Sequence, residues 1–230
     1  MRPVLYPCSN IILPPRLCGG IDDYVPVWAY GRSATDWSVQ FDKRDKRAHR
    51  FTIADVRGPL QLTVPIAKPH SSRCRWDEVR ISTHGAWWDV HRVALESAYG
   101  RTPYFEFYID RFLPMLTAGV EDRYPLLHTL ARAWDREIRD ILGTEPAADE
   151  TPDTGIGAAT ATPPPQHEAY RHKAATPLQL PPYRQVRQDS LGFIAGLSIL
   201  DLIFNLGPEA QIYLNNAARQ AYTQDTQQCE

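Results

Sequence analysis

The residues best equipped for chemistry crowd into 84–108, HGAWWDVHRVALESAYGRTPYFEFY, where His84 and His91 sit among several rings in a chain that is 10% aromatic overall. From Trp87 to Tyr99 the spacing is helical: Trp88, His91, Leu95 and Ala98 recur at steps of three and four and share one face. An imidazole on that face can act as a general base near neutral pH. Trp88, one turn earlier, can wall a pocket and stack on a sugar or a base. The same pattern also describes a core histidine with one satisfied hydrogen bond, so the face has two readings. His84 lies too near the helix start to share it. Along a helix it stands about 10 Å from His91, too far to grip one ion. No H-E-x-x-H or carboxylate cluster accompanies the pair, so the sequence gives no metal site, and it leaves any cofactor unidentified.

A second set lies in KRDKRAHR, 43–50. Lys43 and Arg50 can neutralise phosphate, the arginine with a bidentate fork, and His49 beside it can move a proton. For Lys43–Arg47 the competing reading is a solvated charged loop. Tyr6, in the opening RPVLYP, offers a ring for the wall of a sugar pocket, and Cys8 reads as a buried apolar thiol. In LSILDLIFNLGPEAQIYL (197–214), Asp201 interrupts an apolar helix. It either caps that helix or pairs with an arginine such as Arg50 in a buried polar network. The absence of a G-x-S-x-G elbow, a Walker loop and a G-x-G-x-x-G run removes the most readable hydrolase, phosphate-cradling and dinucleotide signatures.

These groups need elements to position them. RPVLYP (2–7) and LQLTVPI (60–66) are short, apolar and bounded by proline or glycine, as buried strands are, while RFTIADV (50–56) and DEVRIS (77–82) alternate. RFTIADVRGPLQLTVPI reads as a hairpin turning at Arg57-Gly58-Pro59. Helices are predicted over Trp87–Tyr99, ended by Thr102-Pro103, over Phe105–Leu116, and over about Pro125–Leu142. The last has Leu127, Leu130, Trp134, Ile138 and Ile141 in register and Gly143 as its cap. Ser198 marks a further helix start, Asn205 to Pro208 its end, and a final short helix carries Ile212 and Leu214. The expected class is α/β or α+β: a small mixed sheet from the N-terminal half, covered by the central and C-terminal helices.

With 230 residues, 43% of them hydrophobic, the chain can bury one real core. Residues 143–182, beginning GTEPAADETPDTGIGAATATPPPQ, are rich in Pro, Ala, Thr and Gly and cannot hold themselves in a packed fold. The layout is therefore 1–142 and 183–219 as parts of a single domain, 143–182 as a loop, and 220–230 as a polar tail. A net charge of −2, from 25 Lys+Arg against 27 Asp+Glu, supplies no overall basic field for nucleic acid. Cys8, Cys18, Cys74 and Cys229 have no C-x-x-C spacing and read as reduced thiols. The N-terminus lacks an apolar run of signal-peptide length, and the most apolar segment, 191–206, is broken by Ser198, Asp201 and Asn205. No membrane span is expected, and the expected location is the cytoplasm.

Four stretches occur in a distinctive order. VLYP leads towards LPP; FDKRDKRAHRFTI precedes a glycine turn and LTVPI; WWDVHRVALESAYGRTPYFEFYIDRF follows; YRQV and LSILDLIFNLGPEAQIYL close the series. Together they resemble the WbqC-like family of bacterial proteins, often encoded among genes for surface-polysaccharide biosynthesis. His49-Arg50 stands where the family commonly has Asn-Arg, shifted by one residue, and Cys18-Gly19-Gly20 is atypical. The resemblance implies a context, the making or decorating of activated sugars for O-antigen and other surface glycans, with transfer of an acyl or glycosyl group.

The first expectation is thus a transferase acting on a nucleotide-activated sugar or amino sugar. In it, His91 or His49 moves a proton, Lys43 and Arg50 hold phosphate, Trp88 and Tyr6 wall the pocket, and Asp201 joins the binding network. The alternative is a non-catalytic sugar-binding or adaptor protein of the same machinery. A homo-oligomer or a partner in a biosynthetic complex is compatible with either. An enzyme predicts a concave pocket containing His91 and Arg50, an adaptor an exposed apolar patch.

Overall fold

A computed structural model describes residues 10–30, 32–69, 71, 73–145, 148–149, 170–171, 178 and 180–222. Asn10–Leu13 (β1) and Arg32–Thr35 (β2) run parallel, joined across the helix Ile21–Tyr30 (α1). Asp23, in the first turn of α1, reaches back to accept the Gly20 N–H at 2.8 Å, which anchors that helix start. Arg50–Asp55 (β3) and Gly58–Thr63 (β4) form the predicted antiparallel hairpin. Its turn is Val56-Arg57, and Gly58, at φ 116°, already belongs to β4.

The central helices follow as Trp87–Tyr99 (α2), Phe105–Phe112 (α3), the short Val120–Arg123 (α4) and Leu127–Ile141 (α5). Two short strands, Ala148–Asp149 (β5) and Tyr170–Arg171 (β6), then flank the parallel pair in the order β5-β2-β1-β6. Gln188–Leu191 (α6), Ile199–Leu206 (α7) and Ala210–Tyr222 (α8) complete the chain's described part.

The class is α+β as expected, but the strands make two small sheets rather than one mixed sheet, and the parallel one recruits β5 and β6 from beyond the N-terminal half. The hairpin stays separate because its apolar residues Phe51, Ile53 and Leu62 are buried, with β3 lying against α2 and α7. The DEVRIS stretch is not a strand. It forms a 3-10 turn, Trp76–Glu78, held by Glu78 accepting the Arg75 N–H at 2.8 Å, and then only single bridges at Arg80 and Ile81.

On α2 the buried side carries Trp87, His91, Leu95, Ala98 and Tyr99, so Trp87 rather than Trp88 turns inward. The predicted second helix gives way at Phe112 to a 3-10 turn through Pro114. Trp134 of α5 stacks on Phe112 at 5.0 Å, and both are buried with Phe204 and Tyr99 at the centre of the core. Gly143, at φ 64°, closes the end of α5 as predicted. Arg139 is 2% exposed; it donates to Asp135 (2.6 Å), Ser33 Oγ (2.8 Å) and the Glu145 carbonyl (3.1 Å), tying α5 to β2. Tyr24 donates to the same Asp135 at 2.9 Å and brings α1 into that network. The last helix is longer than predicted and takes in residues 220–222. The opening RPVLYP, with Tyr6, and Cys8, Cys229 and most of the proline-rich loop lie outside the described residues.

Candidate functional site

Successive side chains of a strand point to opposite faces, and on β3 this divides the candidate residues. Arg50 and Thr52, both half-buried, line a cleft of about 720 Å³. His49, Phe51 and Ile53 alternate with them and are buried. The floor is stitched from three segments: Ser198 N–H donates to the Thr52 carbonyl (2.8 Å), Ile199 N–H to that of Gly19 (3.0 Å), and Ile21 N–H to that of Leu197 (3.4 Å). The starts of α1 and α7 thus meet β3 at one point. Ser198, the residue before α7, is 2% exposed, and its Oγ neither caps the helix nor finds another partner among the described residues. The Nε of Arg50 is likewise buried without a hydrogen-bond partner. Unpaired buried donors cost about 1–3 kcal/mol each, so these two atoms mark where a polar ligand group is favoured.

The basic loop before β3 adds Lys46 and Arg47 to the cleft. Arg47 is committed: it grips both carboxylate oxygens of Asp22 at 2.7 Å and also bonds Asp23. Arg16 in turn bonds Asp45, which fixes the loop. Lys46 and Arg50 are then the cleft's cations without an ion pair among the described residues. Cys18 also lines the cleft, but burial, with the charges of Asp135 and Asp23, pushes its thiol well up, away from the reactive thiolate.

The facing wall comes from Leu178 and residues 180–198 and is pinned to α7 and α8. The Tyr183 hydroxyl donates to Asp201, Tyr213 donates to the Pro181 carbonyl at 2.6 Å, and Val186 N–H donates to Asn205 at 2.8 Å. The Gln185 amide pairs with both backbone groups of Ile194, at 2.8 and 2.9 Å. Asp201, fully buried, therefore neither caps its helix nor meets Arg50: α7 is buried on all sides at that level, and hydroxyl and amide donors reach Oδ2 in place of a cation, while Oδ1 has no hydrogen-bond partner among the described residues. Burial pushes its pKa up.

The histidines lie elsewhere. His91 Nε2 is 3.1 Å from the Thr63 carbonyl, and its ring packs on Trp87 and Phe51 at centroid distances of 5.3 and 5.7 Å. Burial lowers its pKa to about 4. His49 is buried beside Phe41, and burial followed by the Arg50 charge lowers it to about 4 as well. Neither lines the cleft, so the structure brings Arg50 together with Lys46, Thr52 and Ser198 and not with an imidazole. Trp88 is half-buried on α2 away from the lining. Lys43 borders a separate groove with Asp42, Arg44 and Lys68. Thr52 was legible from the alternation that begins at Arg50. The Tyr183–Phe193 wall had no comparable signal, because its order comes from long-range hydrogen bonds.

Among the described residues no three His, Cys, Asp or Glu side chains converge as metal ligands. No helix there is long and apolar enough to cross a membrane. No curated protein and no solved structure matches the chain. The family description that does match, WbqC-like protein family, spans residues 36–160, more than half of the sequence and including β3, β4 and α2 to α5. By that match, and in agreement with the order of motifs, the chain belongs to the WbqC-like protein family.

Proposed function

We propose that this protein is a transferase of glycan assembly that binds a nucleotide-activated sugar, or its amino derivative, in the cleft between β3 and residues 180–198. The observation that carries the reading is Arg50: a guanidinium with a buried, unpaired Nε at the polar end of an otherwise apolar cavity. Arg50 and Lys46 neutralise phosphate, and the Ser198 hydroxyl adds a hydrogen bond at the start of α7. The rings of Tyr183 and Phe193 supply the apolar surface for a base or sugar ring. A cavity of about 720 Å³ is of the size that small-molecule sites occupy. In this reading His91 and His49 are neutral supports behind β3, and Lys43 and Trp88 make no contact with the donor.

The test is isothermal titration calorimetry with a panel of nucleotide sugars. One class should bind saturably, and Arg50→Ala, with its melting temperature checked, should weaken it about 10- to 100-fold, the loss expected of a charge-assisted hydrogen bond. Binding that Arg50→Ala leaves unchanged refutes the assignment. An adaptor role would draw instead on Val90 and Val93, exposed together on α2, and on Phe107 of α3.

A further inference from the structure

The free side-chain hydrogen-bonding groups of the cleft are concentrated on one wall; on the other, Ala195 and Gly196 contribute backbone groups only. The hydroxyls of Tyr183 and Tyr213 are engaged by Asp201 and the Pro181 carbonyl, and both oxygens of Asp22 by Arg47. The side chains that remain for a ligand are Lys46, Arg50, Thr52 and Ser198. Arg50 and Thr52 share a face of β3, and Ser198 is bonded through its backbone to Thr52 at 2.8 Å. Across from them stand Leu178, Leu180, Phe193, Ile194 and Leu197, with Ile21 beside. That wall is preformed, since Gln185 holds both backbone groups of Ile194. A hydrocarbon chain laid along these apolar side chains would lose no hydrogen bonds there.

We infer that the cleft takes a phosphate-bearing molecule with an aliphatic or acyl chain, its anion at Arg50 and Ser198 and its chain along Leu180, Phe193 and Leu197. The inference rests on the phosphate role of Arg50 proposed above and names a further ligand class that the apolar wall of the same cleft admits. Two sources share this chemistry, an acyl thioester of a phosphopantetheine carrier and an isoprenoid phosphate.

Calorimetric titration of the full chain with coenzyme A and its acetyl, butanoyl, hexanoyl and octanoyl thioesters, and with dimethylallyl and geranyl phosphate, tests it. A nucleotide sugar serves as the comparison. Affinity should rise by about 4-fold per methylene in one series, and which series rises identifies the source. Arg50→Ala should weaken every member by a common factor. Leu180→Ser should flatten the chain-length dependence, which Arg50→Ala leaves in place; Phe193→Ser replaces it if that variant does not fold. Equal affinity across both series, alongside Arg50-dependent binding of the nucleotide sugar, overturns the inference and leaves the phosphate reading standing. Failure of every phosphate-bearing ligand to bind overturns both.

Discussion

His91 makes the protein's stability pH-dependent in a way that can be isolated. Its ring is enclosed by Trp87 and Phe51, Nε2 faces the Thr63 carbonyl, and Nδ1 is buried without a partner. A carbonyl only accepts, so the neutral ring donates from Nε2, and a second proton on Nδ1 would be buried with no acceptor. Its pKa accordingly falls from 6.5 to about 4. As pH drops, the unfolded chain takes up a proton that the folded chain refuses. The stabilising contribution is therefore complete above pH 6.5 and is lost as pH falls through 4. At about 1.4 kcal/mol per pH unit across that window, the whole loss is about 3 kcal/mol, of which about 2 kcal/mol has gone by pH 5.

The perturbation is His91→Gln, whose amide can still donate to Thr63 but does not titrate. Urea unfolding at pH 7, 6 and 5 should show the wild type losing about 2 kcal/mol more than the variant between the extremes. Asp201 and Asp23 have pKa values raised by burial, so falling pH relieves their cost and opposes the histidine. His49 titrates in the same sense as His91. All three are common to both proteins, and subtraction removes them to first order. Parallel stability curves for wild type and variant would refute the enclosed neutral imidazole.

Two further expectations test the frame of the cleft and the packing at the end of α7. Tyr183→Phe removes the hydroxyl that donates to buried Asp201 and should cost about 1–3 kcal/mol in denaturant unfolding. It should also speed amide hydrogen exchange at Ile194 and Val186; unaltered exchange would show that the wall does not depend on this bond. Gly207→Ala places a Cβ 2.5 Å from the Tyr104 ring at a φ of 53°, and should lower the melting temperature by several degrees, with Tyr104→Ala in the same chain restoring part of the loss.

Much of the fold was legible because its signals are local. The 3.6-residue recurrence of Leu127, Leu130, Trp134 and Ile138 made α5 certain to be amphipathic, and the alternation of RFTIAD with the glycine after it made β3 and β4 a hairpin. Where local signals conflict, no element was predicted: Pro26 lies inside α1 and hides a ten-residue helix, and the parallel pairing of β1 with β2 depends on partners far apart in the chain. The site shows the same division. The sequence by itself determined that Arg50 begins a half-buried strand and that His91 lies on an apolar helix face. Only the tertiary structure decided that these two look away from each other, because β3 stands between them with Arg50 and Thr52 on one face and Phe51, packed on His91, on the other. Tertiary structure also decided that Asp201 is held by Tyr183 rather than by a cation: alternation and periodicity say which face a side chain takes, whereas what meets that face is set by segments distant in the chain.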